Sequence, residues 1–222
     1  MTLIEALKER HSVRQYSPIG LKRDDVEKIQ ALIKEVNEES GLAIRFVRDD
    51  EKAFENFLAK YGKFKNVSNY LALVGPKSDD LEEKCGYYGE KIVLEAQRMG
   101  LRTCFVGGTY RKNKKVLYLK KEEELVCVIA IGYGENDGYA HKYRKIREIS
   151  NLTEESPEWF RKGVGGAMMA PTALNQQKYY LECTGEKVKA KAGRGPFTKV
   201  DLGIVKYNFE VTSGKDHSVW EN

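Results

Sequence analysis

The succession of segments along this chain predicts a layered α/β or α+β fold rather than an all-β barrel. Two observations carry that expectation. Apolar residues spaced three and four apart, the pattern of a helix with one buried face, run over 24–37 and again over about 81–99. Short apolar runs bounded by glycine or proline read as strands over 42–47, 70–74, 101–106 and 125–131.

Taken in order, Thr2 followed by Glu5 fits a reciprocal N-terminal cap, so a short first helix is expected to end near Glu9. Pro18 and Gly20 interrupt it. The helix over 24–37 presents Val26, Ile29, Ile33 and Val36, and Gly41 closes it. A further helix is expected through Phe54, Phe57 and Leu58. In the helix over 81–99 the buried stripe is Ile92, Val93, Ala96 and Met99, with Gly100 as the stop. The polar stretch 140–156 reads as a connection between two halves. Ser156 and Pro157 then look like an N-cap and first helical residue leading into Trp159, Phe160, Val164 and Met168. Runs over 179–183 and 188–192, separated by Gly185 and Glu186, predict a hairpin, and 201–211 a last helix with Leu202, Val205 and Phe209 on one face. Cys85–Met99 and Asp201–Thr212 echo each other, each an early glycine followed by an amphipathic helix.

With 222 residues, 41% hydrophobic and 32% charged, the chain is long enough to bury a real core, which argues against global disorder, a collagen-like repeat or a disulfide-stapled mini-domain. A net charge of +5 suits an anionic small molecule as well as nucleic acid and singles out neither. No apolar run reaches 18 residues and no signal segment is recognisable, so a cytoplasmic location without membrane contact is expected. Cys85, Cys104, Cys127 and Cys183 form no Cys-x-x-Cys pair, which points to reduced thiols and no metal framework. His11, His141 and His217 are scattered, each read as an ordinary surface residue.

Common catalytic signatures are missing: there is no Gly-x-Ser-x-Gly, no Walker loop and no His-Glu-x-x-His. Gly132, Gly134 and Gly138 fail the dinucleotide-binding spacing. Three other clusters stand out. Arg10, Ser12 and Arg14 offer guanidinium forks and a hydroxyl suited to a phosphate, although solvated arginines capping a helix would look the same. Gly107 and Gly108 leave a backbone turn without side chains, open to a planar ligand or serving the turn alone. In Ala170-Pro171-Thr172-Ala173-Leu174-Asn175-Gln176-Gln177, a proline-fixed turn presents amides just before a strand, suited to a flat heterocycle or its polyol chain. A polar helical turn would explain it equally well.

Together these segments are more specific than any one of them, and the chain resembles the nitroreductase family of flavin mononucleotide (FMN) enzymes. Arg10-His11-Ser12-Val13-Arg14-Gln15-Tyr16 is similar to the family's flavin phosphate motif, Gly100 through Gly108 to its flavin-facing loop, and Ala170 through Gln177 to its small-residue and asparagine motif. Ile131-Gly132-Tyr133-Gly134 and the basic region Lys142–Arg147 extend the likeness.

The resemblance implies an α+β three-layer sandwich with a mixed or antiparallel sheet. It implies FMN as cofactor, NADH or NADPH as donor, and a nitroaromatic, quinone or similar acceptor, reduced by a ping-pong mechanism. The redox chemistry then belongs to the flavin, with no catalytic side chain required. By the same resemblance Arg10, His11, Ser12 and Arg14 hold the phosphate, with Lys142 and Arg144 adding charge. Cys104, Phe105, Val106, Gly107 and Gly108 face the ring, and Pro171, Thr172, Ala173 and Asn175 border the ring and ribityl chain. Cys104 is expected to be a packed thiol rather than a redox nucleophile. Arg102 is the odd residue of its loop, facing either a substrate pocket or solvent.

One departure matters. The asparagine motif follows the phosphate and double-glycine motifs, where the family usually places it between them, and Gly134 stands where a proline is usual. That order implies a variant in which one chain holds two nitroreductase-like halves, 1–150 and 151–222, and mimics the family dimer. Asn175 of the second half would complete one flavin site with the motifs of the first, in a monomer or a further homodimer. Two other functions remain open: a flavin-binding cofactor-handling or regulatory protein with little turnover, and a nucleic-acid binder using Lys112, Lys114 and Lys115 with Tyr110 or Tyr118. The charge mixture in Lys120-Lys121-Glu122-Glu123-Glu124 weakens the second.

Overall fold

The computed structural model describes residues 1–55, 62–112 and 117–221. Phe57 and Leu58 of the expected third helix, and Lys114 and Lys115, lie outside the described residues. The chain divides into two compact units, each assembled from separate stretches of sequence. A sheet unit comprises 9–81 and 92–140, and a helical unit comprises 1–8, 82–91 and 141–222.

In the sheet unit, β1 (Arg45–Val47), β2 (Tyr70–Pro76), β3 (Arg102–Val106) and β4 (Glu123–Gly132) form one sheet in the order β1-β2-β4-β3, every neighbour antiparallel. β2 reads as an unbroken apolar run because both its faces are covered. Tyr70, Ala72 and Val74 join a cluster with Phe54, Val106, Val128 and Ala130, while Leu71 and Leu73, pointing the other way, are equally buried. A β-bulge lies between Leu73↔Cys127 and Val74↔Leu125, which makes Val126 the extra residue. The bulge reverses the side-chain alternation, so Leu125 joins Val128 and Ala130 in the same cluster.

α2 (Arg23–Ser40) buries the expected stripe of Val26, Ile29, Ile33 and Val36, each contributing on the order of 2 kcal/mol. Gly41 ends it in the left-handed conformation, φ 71°, with its N–H donating to the Asn37 carbonyl at 3.0 Å. The strand expected over 42–47 is shorter than the sequence suggests because the chain before it is tied to the helix end. The Asn37 carboxamide brackets Ile44, accepting from its N–H at 2.8 Å and donating to its carbonyl at 3.0 Å. Before β2 the described residues include a 3-10 turn, Glu51–Ala53, just ahead of Phe54.

α3 (Leu81–Arg98) contributes 82–91 to the helical unit, and Leu81 and 92–98 to the sheet unit. In the helical unit the Thr2–Glu5 cap of α1 (Leu3–Glu9) is present in both directions, at 2.7 and 3.2 Å. The expected connection over 140–156 contains one short helix, α4 (Ile146–Ile149). α5 (Glu158–Met168) begins one residue later than expected. The Ser156 hydroxyl turns back to accept from the Thr153 N–H at 2.9 Å, which leaves Pro157 at the cap with its carbonyl taking the Arg161 N–H. β5 (Tyr179–Thr184) and β6 (Lys187–Ala192) form the hairpin, turning through Gly185, φ 61°, and Glu186.

α6 (Thr198–Ser213) is buried on nearly every side, not on one face alone. A Cβ on Gly86 would fall 2.0 Å from the Val200 carbonyl oxygen, and one on Gly203 would fall 2.0 Å from the Glu83 carbonyl oxygen. The two glycines that echo each other in sequence are thus the two sides of one helix crossing, which accounts for the echo by packing. On α5, Gly163 and Gly166 serve the same purpose against Phe209 and the Asn208 carbonyl of α6.

Candidate active site

In the sheet unit the segment 10–16 is stitched beside β3. Ser12 makes a parallel bridge to Thr103, the Val13 N–H donates to the Thr103 carbonyl at 3.0 Å, and Lys65 N–H donates to the Arg14 carbonyl at 3.0 Å. Val13 points inward at 1% exposure, so extended alternation sends the Ser12 and Arg14 side chains to the other side. Tyr16 fastens the end of the segment, its hydroxyl donating to the carbonyls of Val13 at 2.8 Å and Ala130 at 3.3 Å.

This stitching gathers the first two groups of predicted residues. Burial raises the Cys104 thiol above its ordinary pKa, opposed by Arg14, by a hydrogen bond with Ser12 and by Arg10, so all three groups bear on one sulfur. Cys104 is 3% exposed, a packed thiol and poorly nucleophilic. Arg10 is 4% exposed and Arg14 exposed. Burial lowers the pKa of His11, Arg10 adds to the effect and Asp137 opposes it, so His11 is neutral at pH 7.

Asp137 is itself compensated: Arg102 holds it through Nη2 at 2.6 Å and Nε at 3.1 Å. The Arg102 stem also lies against Gly134, where a Cβ would fall 2.6 Å from Cγ. Arg102 thus ties down the 134–138 loop. The donor set of two guanidinium groups and a hydroxyl, with the Asp137 carboxylate paired away, fits a phosphate. Beyond β3, Phe105 is half-buried, Val106 joins the core, Gly107 is half-buried and Gly108 is exposed, with open space where its Cβ would be. That geometry leaves the backbone at Gly108 approachable by a flat ligand.

The helical unit holds the other predicted residues. Pro171, Thr172 and Ala173 are half-buried, leading to a 3-10 turn, Ala173–Asn175, and an exposed Asn175. The Asn175 carboxamide donates to the Lys142 carbonyl at 3.0 Å. Gln177, 3% exposed, donates to the same carbonyl at 2.8 Å and to Asn175 Oδ1 at 2.9 Å, while its own oxygen accepts from the Arg144 N–H at 3.0 Å. The 142–144 backbone is thereby strapped to the asparagine turn, with the Lys142 and Arg144 side chains exposed.

On the other side of the turn, Asp201 of α6 accepts from the Ala173 N–H and from Gln176 Nε2, both at 2.8 Å, and Gln176 also donates to the Pro196 carbonyl at 2.8 Å. The reading of the sequence overlooked Gln177 and Asp201. Asp201 had a signal, an acid inside the apolar run Val200–Val205, whereas Gln177 looked like one more polar residue of a turn.

A cavity of about 500 Å³ bounded by Pro18, Phe54 and Phe64 contains none of these residues. Among the described residues no group of three or more His, Cys, Asp or Glu is placed to hold a metal, and no helix is long and apolar enough to cross a membrane. The four cysteines are free thiols. Tyr110 is buried at 5% exposure and stacked with Phe54, which removes it as a base-stacking platform for nucleic acid.

An antiparallel sheet with helices, carrying a cationic segment stitched beside β3, defines an α+β protein with a place for an anionic ligand. The sequence matches the family described as "Putative TM nitroreductase" over residues 2–213, and the chain belongs to that family. Among solved structures, it is similar to one from Thermotoga maritima described as a "putative nitroreductase", at 23% identity and TM-score 0.65, covering 96% of this chain and 83% of that one. An FMN-dependent nitroreductase from Clostridium difficile aligns at 21% identity and TM-score 0.50, over 63% of this chain and 91% of that one. A "putative nitroreductase" from Desulfovibrio desulfuricans in complex with FMN aligns at 16% identity and TM-score 0.53, over 70% and 96%. Comparison with curated proteins gives no match.

Proposed function

We propose that this chain is an FMN-dependent oxidoreductase that passes electrons from NADH or NADPH, by a ping-pong mechanism, to a nitroaromatic, quinone or similar acceptor. The observation that carries the reading is the stitching of the segment with Arg10, Ser12 and Arg14 alongside Thr103 of β3, one strand length from the open backbone at Gly108. Arg10 and Arg14 hold the flavin phosphate with the Ser12 hydroxyl. Buried Arg10 acts where solvent screens its charge least. Lys142 and Arg144 add positive charge. Phe105, Gly107 and Gly108 border the ring, and Asn175 with Pro171, Thr172 and Ala173 meets the ring or ribityl chain. Bound FMN supplies the hydride and electron chemistry. The protein contributes position: binding energy at the phosphate fixes a ring some distance away.

The fused-halves reading, 1–150 and 151–222, rests on the late position of the Asn175 motif, since packing accounts for the sequence echo. It gives one flavin per chain in a monomer or a homodimer, which sedimentation with flavin quantitation separates. A cytosolic location accords with the free thiols and a nicotinamide donor.

The test is a visible spectrum of protein loaded with FMN and freed of unbound ligand, followed by NADH or NADPH without oxygen. Retained flavin bands that bleach on addition support the reading. Retained bands with negligible oxidation of either donor favour a cofactor-handling protein, and no retained flavin at any salt concentration removes the proposal.

A further inference from the structure

We infer that Asp201 is a positioning residue for the flavin-contacting turn, holding Asn175 in its binding conformation through the Ala173 amide and Gln176. This inference rests on the proposed flavin role of Asn175 and goes on to assign what sets that residue's geometry.

The turn is in a conformation it would not adopt alone. Leu174, Asn175 and Gln177 all have left-handed backbones, with φ of 54°, 52° and 45°. Asparagine tolerates this, whereas leucine and glutamine lose roughly 1 kcal/mol or more each. Packing does not repay that strain, because Leu174 is 93% exposed. The compensation comes from hydrogen bonds on two sides. Gln177 straps the turn to 142–144, and Asp201, 3% exposed on a helix buried nearly all round, takes the first amide of the 3-10 turn and the Gln176 side chain. Gln176 is confined in turn by Gly195, where a Cβ would fall 2.6 Å from its oxygen.

A buried carboxylate is a costly way to hold a turn, and the chemistry explains the choice. An ionised carboxyl accepts from both donors at once, and charge-assisted bonds are the strong kind. Burial raises the Asp201 pKa to about 6, against the opposing pull of the Ala173 N–H and Gln176. Those two amides are the groups that act on it. On the elements packed against α6, Glu83 pairs with Lys206, Glu158 with Arg161 and Lys162, and Glu182 with Lys191, while Lys187 donates to the Ser218 carbonyl. Protonation of Asp201 removes one acceptor, so the bracing weakens below about pH 6.

The experiment compares wild type, Asp201→Asn and Asn175→Ala for FMN affinity by fluorescence titration from pH 5 to 8, with thermal melting alongside. Asp201→Asn presents an NH2 group to Gln176 Nε2, two donors face to face. Its FMN Kd at pH 7.5 is expected to rise roughly tenfold while its melting temperature holds or rises, because an ionised buried group is gone. Protonation of the FMN phosphate near pH 6 weakens both proteins alike, and wild-type affinity is expected to fall more steeply below pH 6 than that of Asp201→Asn. Should Asn175→Ala weaken FMN while Asp201→Asn binds like wild type with the same pH profile, the positioning role is overturned. Should Asn175→Ala itself leave affinity unchanged, the flavin role of the turn falls and this inference with it. Should Asp201→Asn fail to fold, the wild-type pH profile for riboflavin, which has no phosphate to titrate, decides: affinity independent of pH between 5 and 8 overturns the role.

Discussion

Arg10 and Arg14 illustrate how one charge can be used in two environments. Arg10 is buried, whereas Arg14 is exposed, and the charge of each lowers the pKa of the packed Cys104 thiol against the effect of burial. Removing each therefore has a different signature. Arg14→Ala is expected to raise the FMN Kd by about 10- to 100-fold, the equivalent of one or two charge-assisted hydrogen bonds, with the melting temperature nearly unchanged. Arg10→Ala is expected to weaken FMN similarly and to lower the melting temperature as well, since the guanidinium stem fills buried space. Fluorescence titration and a thermal melt on both variants separate the two cases. Tyr16→Phe removes a buried hydroxyl that donates to Val13 and Ala130. It is expected to cost about 1 kcal/mol in urea unfolding, and to weaken FMN indirectly by loosening the 10–16 segment. These side chains were legible as a cluster in the sequence because alternation in an extended segment puts every second residue on one side. Arg102 was not legible, because its partner Asp137 comes 35 residues later in a loop.

Elements in this molecule are positioned by contacts that local pattern does not encode. The apolar stripe of α2 was readable because amphipathic spacing and a closing glycine are local properties. The first residue of α5 was missed by one place because the Ser156 hydroxyl had a competing donor in Thr153. The crossing of α3 and α6 is sharper still. Gly86 and Gly203 each meet a backbone carbonyl oxygen of the other helix, and backbone cannot move aside as a flexible side chain can. Gly203→Ala, which would favour an isolated helix, is expected here to destabilise by about 2 kcal/mol or more, a melting temperature lower by roughly 4–8 °C. An unchanged melt would mean that the helices separate at little cost.

For the molecule as a whole, Asp201 links stability to pH in an unusual direction. Its carboxyl pKa is raised from an ordinary 3.8 to about 6. The folded chain then binds this proton more readily than the unfolded chain does, so the contribution is full below pH 3.8, declines as pH rises to about 6, and is flat above. The span corresponds to about 3 kcal/mol. The urea midpoints of wild type and Asp201→Asn, compared between pH 4 and 7, are expected to diverge over that window, with wild type losing ground as pH rises; parallel curves would show that Asp201 is not strained by its ionisation. Stability and the proposed flavin affinity then respond to this one group in opposite senses.

The sequence by itself determined a layered fold of helices and strands, the buried stripes, the hairpin turn and, through its local motifs, the likeness to the family, because periodicity, caps and short motifs are short-range properties. Only the tertiary structure decided which residues meet. Antiparallel pairing set β4 between β2 and β3, and the bulge at Val126 chose which side chains face the core. The crossing of α3 and α6 gave the echoing glycines their purpose. Burial on α6 turned Asp201 from an ordinary acid into the brace of the asparagine turn. Each of these depends on groups far apart in the chain, and their energies exist only once loop closure has brought them together.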